Sequence, residues 1–219
     1  MITIDKPGAS CSFTEKELSR VRHDFQKNHF VRLPDLIHKV LLEEIYSQIV
    51  TADWQEKIHD GIGTEVCLND PGTVSLINFL FNDQDLFKII QTITACEPIG
   101  CFQGRVYRMI PNSGHYDSWH TDFGEDRLLA LSLNLGKESY EGGLLQIRHD
   151  GVINSLIEAP NPHFGDAVLF QISRELRHRV TNVEGNVPKT AFAGWFKSSP
   201  DLWATLTELS QSNQTQPAP

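Results

Sequence analysis

Apolar positions in the first hundred residues recur mainly at helical spacing. A capping box, Thr14-x-x-Glu17, precedes apolar residues three or four positions apart and predicts a helix over residues 14–27. Single apolar stripes predict two more helices, one from Leu36 to about residue 51 and one over 86–93. Between the predicted helices, "HFVRLP" indicates a short strand, and residues 54–75 indicate a loop or a hairpin.

From about residue 98 the apolar pattern changes to that of short strands. Clusters of Gly, Pro, Asn, Asp or Glu separate the segments "FQGRVYRMI", "LLALSLNL", "GLLQIR", "GVINSLIEA", "DAVLFQI" and "TAFAGWF". Strands of this length without helices between them indicate an antiparallel sandwich or barrel. We therefore expect an α+β fold, with the N-terminal helices packed outside a double-stranded barrel.

The chain length favours one domain with short extensions. A chain of 219 residues can bury one sizeable core, whereas two domains would each be small. We place this domain at residues 13–199, with helical support to about residue 97 and a barrel core over about 98–197. Residues 1–12 are expected to be flexible, and residues 200–219 to form a short helix, predicted over 198–209, and a polar tail.

Composition narrows the class of partner and the compartment. An apolar content of 40% excludes a disordered chain, and no apolar run is long enough to cross a bilayer. A net charge of −9 disfavours nucleic acid and anionic membranes as partners. Four cysteines without Cys-x-x-Cys spacing and the lack of a secretion signal indicate a cytoplasmic protein with reduced thiols. Composition does not determine the oligomeric state.

The segment "SGHYDSWHTDFG" contains two His-x-Asp patterns, one at His115 and Asp117 and one at His120 and Asp122. Residues two apart on an extended chain project from the same face, so either pair can contribute two ligands to one metal ion. A mononuclear iron site of the oxygenase kind needs two histidines and one carboxylate, which leaves open positions for other ligands.

The third ligand must be a histidine from a distant strand. His163 lies in the Pro-rich turn "APNPHFGD", whereas His178 follows the apolar strand "DAVLFQI" after a short loop. A ligand near a strand end is held by a rigid scaffold, so His178 is the better candidate. Lys189 follows eleven residues later and opens the last strand, with the side-chain parity of Ala191 and Trp195.

This order of features resembles the iron(II)- and 2-oxoglutarate-dependent oxygenases, and among them the prolyl-hydroxylase-like branch. The resemblance covers residues 100–197 and consists of His-x-Asp, "YEGGLLQI", "FGDAVLFQ", a histidine, and then a basic residue before a final aromatic strand. The resemblance implies a double-stranded β-helix, or jelly-roll, fold. It also implies Fe(2+) as cofactor, with 2-oxoglutarate and O2 as cosubstrates and ascorbate as a candidate stimulant.

The resemblance also implies roles for individual residues. His120, Asp122 and His178 would bind iron and carry catalysis, and Lys189 would bind the distal carboxylate of 2-oxoglutarate, where most relatives have arginine. An ammonium lacks the two-pronged geometry of arginine, so a hydroxyl should assist it. Ser132 or Asn134 stands where relatives place a tyrosine for this purpose.

Three further sets of residues are candidates for the site. Tyr107 occupies a strand where relatives place a tyrosine against the cosubstrate. His120 and Asp122 are preferred to His115 and Asp117 because they lie just before the next clear strand, as in the family; the first pair is then a solvated loop with an Asx-type turn at Asp117, or a substrate contact. If the substrate is anionic, Arg108 and Arg127 are the first candidates to bind it.

The expected activity is hydroxylation, or another oxidation, of an unactivated C–H bond in a small metabolite or amino-acid-like substrate. The reaction would yield succinate and CO2. Relatives that halogenate carry a small residue at the position of Asp122, so the aspartate favours hydroxylation, desaturation or cyclisation. The alternatives are a cupin-like metal enzyme without 2-oxoglutarate, in which Lys189 is dispensable, and a non-catalytic β-barrel binding module.

Overall fold

The computed structural model describes residues 1–124, 126–153, 155–203 and 206. Its helices are α1 (Glu15–Asn28), α2 (Lys39–Thr51), α3 (Pro71–Phe81) and α4 (Gln84–Thr94). Its strands in the first half are β1 (Ile2–Asp5), β2 (Gly8–Cys11), β3 (Phe30–Leu33), β4 (Trp54–His59), β5 (Gly63–Leu68) and β6 (Cys101–Met109). The later strands are β7 (Tyr116–Asp117), β8 (Arg127–Asn134), β9 (Glu141–Gly142), β10 (Leu145–His149), β11 (Ile157–Ala159), β12 (Ala167–Gln171), β13 (Leu176–Val180), β14 (Val183–Glu184) and β15 (Lys189–Lys197).

The strands form one large and one small antiparallel layer. The large sheet has the order β3-β12-β8-β15-β6-β5-β4, and β7 pairs with β5. The small layer contains β11-β10-β13 and the pair β14-β9. From β8 onward the chain passes back and forth between the layers: β8, β12 and β15 lie in the large sheet, and the strands between them lie in the small layer. This is the winding of a double-stranded β-helix. The predicted fold class, including helices outside the barrel, is confirmed.

The helices cover the outer face of the large sheet. Buried residues of α2, α3 and α4 form one apolar cluster with side chains from β6, β8 and β15, among them Phe102, Leu131 and Phe192. The predicted capping box at α1 is present, because Thr14 Oγ1 accepts from the Glu17 backbone N–H while Glu17 Oε2 accepts from Thr14 N at 2.7 Å. No helix within the described residues is long and apolar enough to cross a bilayer.

Two predictions about the N-terminal half are corrected. Residues 1–12 were expected to be flexible, but β1 and β2 form a hairpin whose Ile2 and Ile4 are buried in the main core. Ile4 also exchanges backbone hydrogen bonds with Leu36 and His38. The hairpin predicted within 54–75 is present as β4 and β5, but α3 begins at Pro71, where Asp70 caps the helix by accepting from two backbone N–H groups.

The C-terminal half needs one correction. The segment "GVINSLIEA" was predicted as a strand, yet of its described residues only Ile157–Ala159 form a paired strand, while Val152 and Ile153 are exposed. Of the helix predicted over 198–209, residues 204, 205 and 207–209 lie outside the described residues, as does the polar tail beyond it.

Candidate active site

Three predicted ligands converge at one end of the barrel. His120, Asp122 and His178 each offer a ligand atom, and these atoms all lie within 4.8 Å of one another. His178 Nε2 lies 3.3 Å from Asp122 Oδ2, and His120 Nε2 lies 3.7 Å from Asp122 Oδ1. Two imidazole nitrogens and one carboxylate at this spacing fit a first-row metal ion such as Fe(II).

Backbone hydrogen bonds bring the two histidines together across 58 residues of sequence. His120 N donates to His178 O at 3.1 Å, and His178 N donates to His120 O at 2.9 Å. The two ring centroids are 4.4 Å apart as a result. The position of the pair is therefore set by the scaffold, independently of any bound metal.

The first His-x-Asp pair supports the second. The backbone N–H of Val180 donates to Asp117 Oδ2 at 2.7 Å, which joins the loop to β13, and Asp117 Oδ1 lies 3.3 Å from His120 Nδ1. His120 Nδ1 is also 2.7 Å from the carbonyl of Ser118, an arrangement that directs Nε2 of the same ring toward a metal. The expectation that Asp117 is solvated is therefore wrong, whereas His115 turns away and accepts from Ile110 N.

The Asp122 carboxylate is held by hydrogen bonds and charge. Burial alone would raise its pKa, but hydrogen bonding and the charge of His178, a hydrogen bond from Trp195 Nε1 at 2.7 Å and the charge of His120 together lower the pKa to about 2. Arg127 Nη1 lies 3.3 Å from the other carboxylate oxygen. Asp122 is thus ionised at neutral pH, as a metal ligand must be.

Lys189 is buried inside the barrel, with 5% of its surface exposed. Its ammonium donates to the carbonyl of Gly143 at 2.6 Å, and no side-chain carboxylate of the described residues forms an ion pair with it. Burial lowers the pKa of Lys189 to about 8, although the charge of Asp117 partly opposes this shift. Gly143 has φ of +60°, and a Cβ added there would lie 3.2 Å from Lys189 Cδ.

Tyr140 lies beside Lys189 and was missed in the sequence analysis. Its ring centroid is 5.6 Å from Lys189 Nζ, and its buried hydroxyl has no hydrogen-bond partner among the described residues. A buried hydroxyl without a partner is uncommon in native proteins and suggests a missing ligand group. An ammonium and an orphaned hydroxyl side by side suit a carboxylate, and burial raises the pKa of Tyr140 so that it stays a donor.

The other predicted cosubstrate residues also face this interior. Tyr107 of β6 is buried and is the cross-strand neighbour of Ala191 of β15. Ser132 of β8 is the cross-strand neighbour of Ala193. Asn134 is the alternative to Ser132, but its side-chain amide donates to the carbonyls of Gly136 and Pro162 and accepts from Gly136 N. Tyr107 and Ser132 line the cavity, and their predicted contacts with the cosubstrate stay predictions.

All of these groups line one cavity of about 240 Å³. His59, Ile62 and Tyr116 also lie along its wall. Arg127 lines the cavity, but Arg108 does not: it lies over Trp54 at 4.0 Å and donates to Thr190 on the other face of the sheet. The prediction that Arg108 binds the substrate in this cavity is therefore wrong.

Part of the chain resembles a known protein superfamily. Residues 102–197 match the profile of the 2OG-Fe(II) oxygenase superfamily. No curated protein sequence matches the chain significantly.

Three solved structures with low sequence identity share the fold. A Pseudomonas putida prolyl-4-hydroxylase is 18% identical with a TM-score of 0.60, and the match covers 82% of this chain and 98% of that one. A Trichoplax adhaerens prolyl hydroxylase, solved with a peptide fragment of hypoxia inducible factor, is 14% identical with a TM-score of 0.60 and coverages of 89% and 98%. SnoN, a non-heme alpha ketoglutarate dependent epimerase of nogalamycin biosynthesis, is 10% identical with a TM-score of 0.61 and coverages of 85% and 82%.

The profile match favours the oxygenase interpretation over a cupin-like enzyme or a binding module. The matched residues contain all three members of the triad and Lys189. Residues 102–197 therefore resemble the 2OG-Fe(II) oxygenase superfamily in their sequence profile, and the chain shares the fold of the three solved structures.

Proposed function

We propose that this chain hydroxylates an unactivated C–H bond of a small metabolite or amino-acid-like substrate. One equivalent each of substrate, 2-oxoglutarate and O2 would give the alcohol, succinate and CO2. The observation that carries the proposal is the convergence of the His120, Asp122 and His178 ligand atoms within 4.8 Å of one another, on the same cavity as the buried Lys189.

Each group in the cavity would have a distinct task. His120, Asp122 and His178 would hold Fe(II), and the ammonium of Lys189 and the hydroxyl of Tyr140 would bind the distal carboxylate of 2-oxoglutarate. When bound, iron with 2-oxoglutarate and O2 supplies the oxidising power for attack on the C–H bond. Trp195 and Arg127 would keep the Asp122 carboxylate ionised and correctly oriented, and the apolar wall would exclude water.

The size of the cavity favours a small substrate. Sites for drug-sized ligands typically have roughly 300–1,000 Å³, and this cavity of about 240 Å³ must also admit the cosubstrate. A small molecule fits this space better than a folded protein does. A peptide that inserts only one side chain is the main competing substrate, since a relative was solved with a peptide.

Succinate release tests the proposed function. Purified protein with Fe(II), 2-oxoglutarate and ascorbate would be incubated with a panel of amino acids and small metabolites, and with short proline-containing peptides. We expect one small molecule to stimulate succinate release and to gain one oxygen atom by mass spectrometry. Stimulation by peptides alone would contradict the substrate class, and a product of unchanged mass would contradict hydroxylation.

The affinity for 2-oxoglutarate should fall as pH rises above about 8. The pKa of Lys189 in the ligand-free protein is about 8, so at higher pH the lysine is neutral and must take up a proton to bind the dianion. The dissociation constant should then rise about tenfold per pH unit until it reaches the higher pKa of the complex. Calorimetric titration of the Mn(II)-loaded protein between about pH 7 and 9 measures this change.

The control for this pH dependence is the affinity for Mn(II), measured over the same range. Proton uptake should also appear as a dependence of the binding heat on the buffer. An affinity for 2-oxoglutarate that stays constant across the range would contradict a role for Lys189 as the cationic partner.

A further inference from the structure

Arg105 is a further cation on the inner wall of the barrel, in addition to Lys189 and Arg127, and the sequence did not single it out. It lies on β6, two residues before Tyr107 and on the same face, opposite Ala193 of β15. Its guanidinium carbon is 5.6 Å from the Tyr107 ring centroid and 5.8 Å from that of Trp195. Arg105 lines the cavity, and 28% of its side chain remains exposed.

A buried acid fixes the orientation of this arginine. Arg105 Nε donates to Glu65 Oε1 at 2.6 Å, and His59 Nε2 lies 3.0 Å from the same oxygen. Burial would raise the pKa of Glu65, but the charge and hydrogen bond of Arg105 outweigh it and lower the pKa, so the pair is ionised. The anchor therefore holds the guanidinium through its Nε only.

The outer edge of the guanidinium is left without an acceptor. Over residues 1–124, 126–153, 155–203 and 206, no hydrogen bond uses Nη1 or Nη2 of Arg105. These two amino groups are not fully buried, so they are accessible from the cavity, where a ligand can replace water as their acceptor. Two parallel amino groups on a planar guanidinium match the two oxygens of a carboxylate.

Under the proposed function, the cosubstrate would have its partners elsewhere in the cavity. Fe(II), Asp122 and Lys189 would together carry two positive charges, which would balance the two negative charges of 2-oxoglutarate. Arg105 is therefore not needed to neutralise the cosubstrate. Its neighbour Trp195 donates to Asp122 Oδ2 at 2.7 Å, so Arg105 is separated from a metal ligand by a single indole.

We propose that Arg105, oriented by Glu65, binds a carboxylate of the substrate and holds its reacting carbon beside the metal site. This inference rests on the proposed function and narrows the substrate to a small carboxylic acid. Glu65 acts as a positioning residue, because its hydrogen bond from Arg105 Nε fixes the plane of the guanidinium.

Binding to the Mn(II)-loaded protein, saturated with 2-oxoglutarate, tests the inference without turnover. The probes are free L-amino acids and monocarboxylic acids of two to five carbons, each paired with its primary amide. We expect at least one acid to bind at least tenfold more tightly than its amide. The Arg105→Met/Glu65→Gln double variant removes both charges together. It should lower the affinity for that acid at least tenfold and change the affinity for 2-oxoglutarate less than threefold.

Two further variants control for folding and for charge. Arg105→Lys keeps the ion pair with Glu65 but lacks the two parallel amino groups. It should lower the affinity for the acid by a smaller factor than the double variant does. Arg108→Met removes a cation from the same strand on the opposite face, and should leave the affinity for the acid unchanged. Thermal unfolding of each variant confirms that it is folded before binding is measured.

Several outcomes would overturn the inference. It fails if no acid binds more tightly than its amide, or if the double variant binds the acid as the wild type does. It also fails if the double variant loses 2-oxoglutarate while Lys189→Met keeps it, since Arg105 would then be the partner of the cosubstrate. Absence of Mn(II)-dependent binding of 2-oxoglutarate to the wild type would instead refute the proposed function, and the inference with it.

Discussion

Replacing His178 by alanine is expected to abolish iron binding and succinate formation together. His178 is 6% exposed, and its Nε2 lies 3.3 Å from the Asp122 carboxylate, so no other imidazole among the described residues can take its place in the triad. Loss of groups that merely orient a ligand weakens metal binding by about 10–100-fold, and loss of a ligand itself should exceed that range. Iron content after reconstitution and gel filtration measures the effect.

The matched control is His163→Ala, the histidine rejected in favour of His178. His163 is exposed, and the variant should retain the iron content and activity of the wild type. His178→Ala also leaves a small cavity, so its thermal unfolding should be compared with that of His163→Ala. A folded His178→Ala protein that still holds one equivalent of iron would contradict the assignment of the metal site.

Replacing Lys189 by methionine should have opposite effects on cosubstrate affinity and on stability. Loss of one partner from a buried charge pair typically costs about 2–5 kcal/mol, so the affinity for 2-oxoglutarate should fall roughly 30-fold to several thousand-fold. The ligand-free protein should become more stable at pH 7. The shift in the pKa of Lys189 from its ordinary 10.5 to about 8 means that burial of the ammonium costs about 3 kcal/mol.

The expected net gain in the free energy of unfolding is about 1–3 kcal/mol, because the hydrogen bond to Gly143 is also lost. The gain should be largest below about pH 8 and shrink as pH rises past 10.5, above which the wild-type lysine is neutral in both the folded and the unfolded state. Urea unfolding of the metal-free proteins at several pH values measures it. A stability loss at pH 7, with unchanged affinity for 2-oxoglutarate, would contradict the account.

Two companion variants locate the effect. Tyr140→Phe should lower the affinity for 2-oxoglutarate about tenfold. It should not destabilise the ligand-free protein, since the hydroxyl has no hydrogen-bond partner there among the described residues. Lys197→Met removes a lysine at the far end of the same strand, where it pairs with Asp126, and should leave the affinity for 2-oxoglutarate unchanged.

The sequence predicted those features that depend on local period and order. Side chains two apart on a strand share a face, so Lys189, Ala191 and Trp195 were expected on one face once the last strand was recognised. The same parity applied to Arg105, which stands two residues before Tyr107, and this signal was available but not used. The hairpin at β1 and β2 was also readable, because Ile2 and Ile4 alternate with polar residues.

Other features depend on contacts between distant segments and were not readable. Tyr140 lies in the connection after β8, and only the packing of β9 and β15 brings it beside Lys189. Asp117 resembles a loop residue in sequence and is partly buried because Val180, 63 residues later, donates to it. The strand predicted over 151–159 is short because its first half has no neighbouring strand to pair with among the described residues.

A crystal structure of the protein grown anaerobically with Mn(II) and 2-oxoglutarate tests the central claim most directly. The account predicts an anomalous manganese peak within roughly 2.0–2.4 Å of His120, Asp122 and His178, the usual range of metal–nitrogen and metal–oxygen bonds. It also predicts the distal carboxylate of 2-oxoglutarate between Lys189 and Tyr140. Manganese bound elsewhere, or that carboxylate bound to Arg105, would contradict the account.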